Sequence, residues 1–183
     1  MSRSTKGVAL GVILVLSGTT SEANAQLPVH TDLRPRVVRR ADGERRYLPA
    51  GRFILLKVGP VATGSSYLFM GAEDLPPGTA IPAHQHEVDE EILIIHRGRV
   101  RVLMDRDTVV AGAGDAIFLP PRIPISVRAL APDTASVFFV FPRGSVERCL
   151  QFVGRAERAA AAPRPFTSAD SAEARQVCQM TYQ

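Results

Sequence analysis

Long hydrophobic segments are absent from this sequence, and this limits where the chain can be placed. The longest apolar run near its start covers residues 8–16 and has nine residues, whereas a helix needs about 20 to cross the hydrocarbon core of a bilayer. No cysteine follows this region that could carry a lipid anchor. We therefore expect no stable membrane anchor.

Residues 1–25 have the pattern of a secretory signal peptide. Arg3 and Lys6 supply the basic start, the apolar run follows, and Ala23-Asn24-Ala25 is a small-residue cleavage site before Gln26. A pair of adjacent arginines is absent from this region, which favours export of the unfolded chain. We expect cleavage between Ala25 and Gln26 and a mature protein in the periplasm or the medium.

Internal repeats are absent, and the remaining chain has the size of one domain. Removing 25 of the 183 residues leaves about 158, enough to bury a sizeable core. We divide it into an N-terminal arm (26–50), a β domain (51–143) and a C-terminal tail (144–183). Arginines crowd the arm, as in some nucleic-acid-binding proteins, but only Tyr47 lies among them as an aromatic residue. We interpret the arm as solvated surface and expect no nucleic-acid partner.

Short apolar or alternating segments, separated by glycine and proline, predict an all-β domain between residues 52 and 142. The segment 99–102 alternates strictly, which places Val100 and Val102 in the core and the arginines in solvent. The segment 92–95 is apolar on both faces, so a second sheet or a partner subunit should cover it, and we expect a homodimer. The predicted strands are 52–58, 66–72, 91–95, 99–104, 115–119, 125–130 and 136–141.

Histidine is scarce, with four residues in the chain, yet two of them are spaced to bind one metal ion. His84 and His86 project from the same face of an extended strand. The polar residues 87–90 indicate a turn, after which Glu91 begins the neighbouring strand and returns a carboxylate to the two imidazoles. Two histidines and a carboxylate suit Fe(II), Mn, Ni, Cu or Zn.

The residues around this group have other interpretations. Glu90 is the alternative ligand. If Glu91 faces inward, however, Glu90 faces outward, and Asp89 and Glu90 form a solvated turn. By the same parity His96 lies on the outer face, at the surface or in an interface.

The spacing Gly78-x5-His84-x-His86-x4-Glu91-x6-Gly98 resembles the first conserved motif of the cupin superfamily. The segment 114–120 resembles the first half of the second motif. This resemblance implies a jelly-roll β-barrel, also called a double-stranded β-helix, followed here by short C-terminal helices. It also implies a divalent metal held by the two histidines and the glutamate.

The second half of that second motif differs at three positions. Arg122 stands where the family has glycine, Ile125 where it has a fourth metal-binding histidine, and Ala129 where it has asparagine. Losing a ligand should weaken metal binding, although three ligands still suffice for a catalytic metal. The glycine suggests a turn with positive φ, where arginine would cost about 1 kcal/mol. Either this turn is remodelled, or Arg122 lies at the pocket mouth and pairs with an anionic ligand.

Two functions remain open at this point. The first is an exported single-domain cupin whose metal site acts on a small organic molecule as a dioxygenase-like oxidoreductase. The alternative is a metal-free protein that binds or senses an apolar or aromatic small molecule without catalysis. The sequence identifies no catalytic residue, because no convincing separate general base accompanies the three metal ligands.

The tail changes character and resembles the helical tail of small single-domain cupins related to quercetin dioxygenases. Val146, Cys149, Leu150 and Val153 have helical spacing. The segment 159–165 reads as a linker, and 167–170 as a capping box that opens a second helix. In an exported chain Cys149 and Cys178 are expected to form a disulfide that stabilises the tail by roughly 3–4 kcal/mol. Two independent buried thiols are the alternative.

Overall fold

The structure, a computed structural model, describes residues 33–48, 52–142, 145–154, 156, 172 and 175–182. The predicted signal peptide, linker and capping box lie outside the described residues. The elements in chain order are β1 (Glu44–Tyr47), β2 (Phe53–Val58), β3 (Phe69–Leu75), β4 (Ala80–His86), β5 (Glu91–Arg97), β6 (Arg99–Met104), β7 (Asp107–Gly112), β8 (Ala116–Leu119), β9 (Ile125–Ala129), β10 (Ala135–Phe141), α1 (Ser145–Val153) and β11 (Met180–Tyr182).

The strands form two antiparallel sheets that face each other, which confirms the predicted all-β jelly roll. One sheet has the strand order β1-β2-β3-β10-β5-β8, and the other β11-β4-β9-β6-β7. Strands β4 and β5 follow each other in the chain but lie in different sheets. The connection at residues 87–90 therefore crosses from one sheet to the other.

Alternating side chains explain why these segments form strands around one core. On β6, Val100 and Val102 are fully buried, while Arg99 and Arg101 face solvent. The opposing sheet contributes inward residues from each of its long strands to the same cluster. The core thus lies between the sheets, as period-two alternation requires.

The outer face of β5 is only partly covered by the chain itself. Ile92 is 43% exposed, and its cross-strand neighbour on β8, Phe118, is 58% exposed. Inward residues Leu93 and Ile95 are buried on the opposite face of the same strand. The doubly apolar segment therefore presents one apolar face to the core and one to the surroundings.

The sequence prediction omits strands β1, β7 and β11 and places β3 three residues too early. The apolar residues Tyr67 and Leu68, which favour an early start, are 83% and 54% exposed in the structure. They precede the strand, whose first buried residue is Phe69. Strand β11 forms by pairing with β4, a contact that local sequence does not reveal.

The tail packs on the domain through α1, and the helix predicted at this position is confirmed. Val146 and Cys149 are buried on one face of α1, and Leu150 and Val153 pack against the core. Cys149 forms a disulfide with Cys178, where the Cα atoms are 4.5 Å apart. Within the described part of the chain, no helix is long and apolar enough to cross a membrane.

Candidate metal centre

His84, His86 and Glu91 converge inside the barrel although they come from opposite sheets. The two histidines alternate with Gln85 at the end of β4 and point inward. Glu91, the first residue of β5, reaches them across the barrel, so the prediction that its strand neighbours β4 is wrong. The three side chains are buried, and their ligand atoms lie within 4.8 Å of one another.

A hydrogen bond to the backbone fixes the tautomer of His84. Its Nδ1 lies 2.8 Å from the carbonyl oxygen of Pro82. Because a carbonyl can only accept, Nδ1 carries the proton and Nε2 keeps its lone pair for a ligand bond. Burial, partly opposed by the nearby Glu91 carboxylate, lowers the pKa of His84 and favours the neutral imidazole. Metal ions bind this form of histidine.

His86 and Glu91 complete a donor set that fits a divalent ion. His86 Nε2 lies 3.2 Å from Glu91 Oε2, and the His86 ring packs edge-on against Phe141 at a centroid distance of 4.8 Å. Small side-chain movements would bring all three donors to about 2.0–2.2 Å from one ion. The residues fit a three-ligand site with open positions, the arrangement of a facial triad.

The donor group lies in the wall of a cavity of about 400 Å³ between the two sheets. Apart from the three donors, most of its lining residues are hydrocarbon or aromatic, including Ile81, Leu93 and Phe139. The tail closes part of it with Val146, Leu150, Val153 and Met180. A cavity of this size and character can hold a small organic molecule beside the ion.

Ile125 lies where the family resemblance predicts a fourth ligand. It is 2% exposed, lines the cavity, and stands directly opposite His84 in the ladder of β9 and β4. One side of the donor group therefore faces hydrocarbon where a fourth donor would otherwise be.

Arg122 keeps the backbone conformation expected of a glycine, so the turn is not remodelled. Its φ angle is 66°, and its N–H donates to the His86 carbonyl over 2.7 Å. The side chain is exposed and does not line the cavity, contrary to the expectation of a pocket-mouth residue. Hydrogen bonds from Thr181 and Gln85 lower the pKa of the half-buried Glu87, and the Arg122 charge adds to this effect.

The remaining predictions around the site have mixed outcomes. Glu90 is exposed as expected. Asp89, by contrast, is only 5% exposed, so the prediction of a solvated turn is wrong at this residue. Asp89 lies in the connection that crosses between the sheets, and this crossing buries it. The alternation of side chains along β5 does not apply to Asp89, because it precedes that strand. His96 lies on the outer face beside Phe138, at a ring distance of 5.3 Å.

Sequence reasoning missed an ion pair in the same cavity wall. Arg52 and Glu73 both line the cavity, with Nε–Oε1 and Nη2–Oε2 distances of 2.6 and 3.0 Å. Burial raises the pKa of Glu73, partly opposed by the hydrogen bond from Arg52. The signal was available, because Arg52 has the same parity as the inward-facing Ile54 and Leu56 of β2.

Comparisons with known proteins agree with this architecture. Residues 71–141 match the family model of the cupin domain. A protein described as polyketide synthase CurC from Streptomyces cyaneus is 29% identical over 107 residues, which cover 58% of this chain and 69% of that protein. The similarity includes both histidine-bearing β4 and the opposing β5.

Solved structures share the fold. KdgF from a Halomonas species is 18% identical with a TM-score of 0.52, over 60% of this chain and 96% of KdgF. An oxalate decarboxylase from Bacillus subtilis is 26% identical with a TM-score of 0.51, over 57% of this chain and only 28% of that enzyme. Over residues 71–141, the jelly roll, the spacing of His84, His86 and Glu91 and the matching family model make this part of the chain similar to the cupin domain.

Proposed function

We propose that this protein binds a divalent metal through His84, His86 and Glu91 and acts on a small, mainly apolar organic molecule as a dioxygenase-like oxidoreductase. The observation that carries the proposal is the convergence of three buried donors, within 4.8 Å of one another, in the wall of a cavity of about 400 Å³. A metal at this point would have protein ligands on one side and the cavity on the other. Substrate oxygen atoms could then take its open positions.

The three donor side chains limit the choice of metal ion but do not select a single one. Two imidazoles and a carboxylate suit Fe(II), Mn, Ni, Cu or Zn. Manganese has support from a relative, because the Bacillus subtilis oxalate decarboxylase is described with Mn(II) centres. When bound, such an ion would polarise a substrate oxygen or activate O2. The chain's own part is to hold three donors, fix the His84 tautomer through Pro82, and exclude water with apolar walls.

The apolar walls support an aromatic or similarly conjugated substrate. Phe139 and Phe141 line the cavity with rings 6.4 Å apart and inclined by 70°, an arrangement favourable for contact with a further ring. The similarity to a polyketide synthase protein is consistent with a substrate of this kind.

Export and dimerisation are part of the proposal. A disulfide between Cys149 and Cys178 persists in oxidising compartments, which supports an exported protein. The exposed neighbours Ile92 and Phe118 support a homodimer through the outer face of the β5 sheet. Sedimentation of the wild type against Ile92→Asp tests this, because a charge in the interface should produce a monomer.

Metal titration of the purified mature protein tests the site directly. We expect one divalent ion per chain by calorimetry with Mn(II) or Zn(II), and loss of binding in His84→Ala, His86→Ala and Glu91→Gln with an unchanged β-rich circular dichroism spectrum. His96→Ala is the matched control, since this histidine lies on the outer face. A wild type without metal affinity, or equal loss in the control, would contradict the proposal.

The metal-free binding protein remains the second candidate because two observations favour it. Ile125 supplies hydrocarbon where a fourth ligand is expected, and the hydrogen bond between His86 and Glu91 satisfies two of the donors without an ion. Oxygen uptake in the presence of catechol and flavonol probes separates the two candidates. Metal-dependent uptake that is lost in His86→Ala supports the oxidoreductase, whereas ligand binding without metal or uptake supports the binding protein.

A further inference from the structure

The ion pair of Arg52 and Glu73 lies on the inner wall of the barrel. In the sequence, both residues precede the three donor residues. Both side chains point inward, Arg52 ahead of β2 and Glu73 on β3, where Glu73 stands opposite Ile54. Their side chains are only 9% and 2% exposed. Among the described residues that line the cavity, Arg52 and Glu73 are the charged residues outside the group of His84, His86 and Glu91.

Stability alone does not account for this pair. Taking two charges out of water carries a penalty of several kcal/mol per ion, and apolar residues of similar volume are often at least as stabilising. The neighbouring inward positions Ile54, Leu56 and Phe69 are apolar and buried. A buried ion pair among them, in the wall of a ligand-sized cavity, is typical of a binding site.

The geometry of the pair leaves part of the guanidinium available. Arg52 uses Nε and Nη2 for the two carboxylate oxygens of Glu73. Its remaining nitrogen, Nη1, donates to no residue in the described ranges, while Arg52 itself lines the cavity. Glu73 thus fixes the plane of the guanidinium and leaves one nitrogen with two N–H groups to meet a ligand.

The cavity that Arg52 lines is large enough for a flat ligand. A Cβ at Gly71 would lie 2.2 Å from the Phe139 ring, so glycine there lets the ring lie against β3. A cavity of about 150 Å³ can hold benzene, and this one has about 400 Å³. Two fused rings with polar substituents are therefore within its capacity.

The charges of the cavity favour one negative charge on that ligand. A divalent ion and Arg52 would bring three positive charges, and Glu73 and Glu91 two negative ones. A monoanion would leave the cavity neutral, and buried charges need such compensation.

We infer that Arg52, held in place by Glu73, is the anion-binding residue of the cavity, and that the substrate is a planar, largely apolar monoanion that carries a carboxylate, phenolate or enolate oxygen. This rests on the proposed function in placing the substrate beside the metal. It also assigns to Arg52 the anion-pairing role that the sequence suggests for Arg122.

Paired naphthalene probes test the inference by binding rather than by activity. Calorimetry compares 2-naphthoate, a monoanion, with the neutral 2-naphthamide in EDTA-treated and in zinc-loaded protein. The zinc-loaded wild type should bind the anion at least tenfold more tightly, about 1.4 kcal/mol. In the EDTA-treated protein the preference should be smaller, because Glu73 and Glu91 then outnumber Arg52. The double variant Arg52→Met/Glu73→Leu, which removes both charges together, should lose this preference while keeping its fold.

The neighbouring pair of Arg40 and Asp74 supplies the matched control. Its charges are 3.2 Å apart on the opposite, solvent-facing side of β3. Arg40→Gln/Asp74→Asn removes the same charges from the protein and should keep the tenfold preference. If the cavity double variant does not fold, Arg52→Lys, which keeps the charge but loses the forked donor, should reduce the preference at least threefold.

The two proposals fail in different ways. A preference that survives in the double variant, or that the control also loses, overturns the role of Arg52. A preference confined to the zinc-loaded protein and kept by the double variant means that the metal recognises the anion, so the metal site stands and this inference falls. If zinc does not bind but EDTA-treated wild type prefers the anion through Arg52, the metal proposal fails and this inference stands.

Discussion

Ile125→His should convert the three-ligand group into a four-ligand site. Ile125 stands directly opposite His84 in the β9–β4 ladder and lines the same cavity. Directly opposed residues on one face have Cβ atoms about 4.5–5.5 Å apart. An imidazole at position 125 would therefore project into the cavity beside the His84 ring, close enough to reach the same ion.

The effect should have opposite signs with and without metal. Ile125 is 2% exposed, so without metal the new imidazole is a buried polar group with no assigned partner, at a cost of about 1–3 kcal/mol in unfolding free energy. With metal, a fourth ligand should raise affinity at least tenfold, or about 1.4 kcal/mol. At a fixed excess of free ion, metal should therefore stabilise the variant by about 1.4 kcal/mol more than the wild type.

Calorimetric titration with Fe(II), Mn(II) and Ni(II), together with urea unfolding in EDTA and in metal, measures both effects. Ile125→Asn is the control, because it introduces polarity of similar size without an imidazole. Unchanged affinity in a folded Ile125→His protein would refute the placement of residue 125 beside the ion. If only the variant binds metal, the metal-free binding protein is the better account; if neither binds, the assignment of the three donors is wrong.

Three further predictions concern the surroundings of the site. Cys149→Ser/Cys178→Ser should lower the unfolding free energy by roughly 3–4 kcal/mol, because the unfolded chain then lacks the cross-link between residues 29 positions apart and gains conformational entropy. Urea unfolding measures this change, and a loss below about 1 kcal/mol would contradict the prediction. Arg122→Gly should raise stability by a few tenths to about 1 kcal/mol, since φ is 66° and the strain relieved exceeds the entropy cost of glycine, and a decrease would mean that the exposed side chain stabilises the turn. Burial raises the pKa of Glu147 above its ordinary 4.5 although Val61 and Ala62 donate N–H groups to it, so the folded state binds the proton more tightly. Its contribution to stability should fall as pH rises from about 4.5 through the folded pKa and then level off; Glu147→Gln should flatten this part of the curve, and an unchanged pH dependence of unfolding would contradict the assignment.

Much of the metal centre is predictable from local rules. The i, i+2 spacing of His84 and His86 on an extended strand fixes their common face, and the position of Glu91 after a short polar connection places a carboxylate nearby. Alternation also predicts the buried Val100 and Val102 of β6. These features depend on neighbours in the chain, and the structure agrees with each of them.

The features that the sequence did not reveal depend on contacts between distant segments. Asp89 is buried by the crossover between sheets, and strand β11 exists through its pairing with β4. Position 52 has the same inward parity as Ile54 and Leu56. Because arginine side chains are usually exposed, the sequence alone does not identify Arg52 as a cavity residue. Exposed Tyr67 and Leu68 shifted the predicted start of β3 because apolar residues indicate burial only on average.

The tail belongs to the candidate site, and this changes how the missing fourth ligand is interpreted. Met180 and Tyr182 of β11 stand opposite His86 and His84 in the ladder with β4. Helix α1, joined to the segment before β11 by the disulfide of Cys149, covers the cavity with Val146, Leu150 and Val153. A covering of this kind lowers water access and the local dielectric, which strengthens interactions between an ion and its remaining donors. Ile125 and the apolar side chains of α1 both make the cavity less polar. This fits a site that binds an organic ligand better than a metal site that has only lost its fourth ligand.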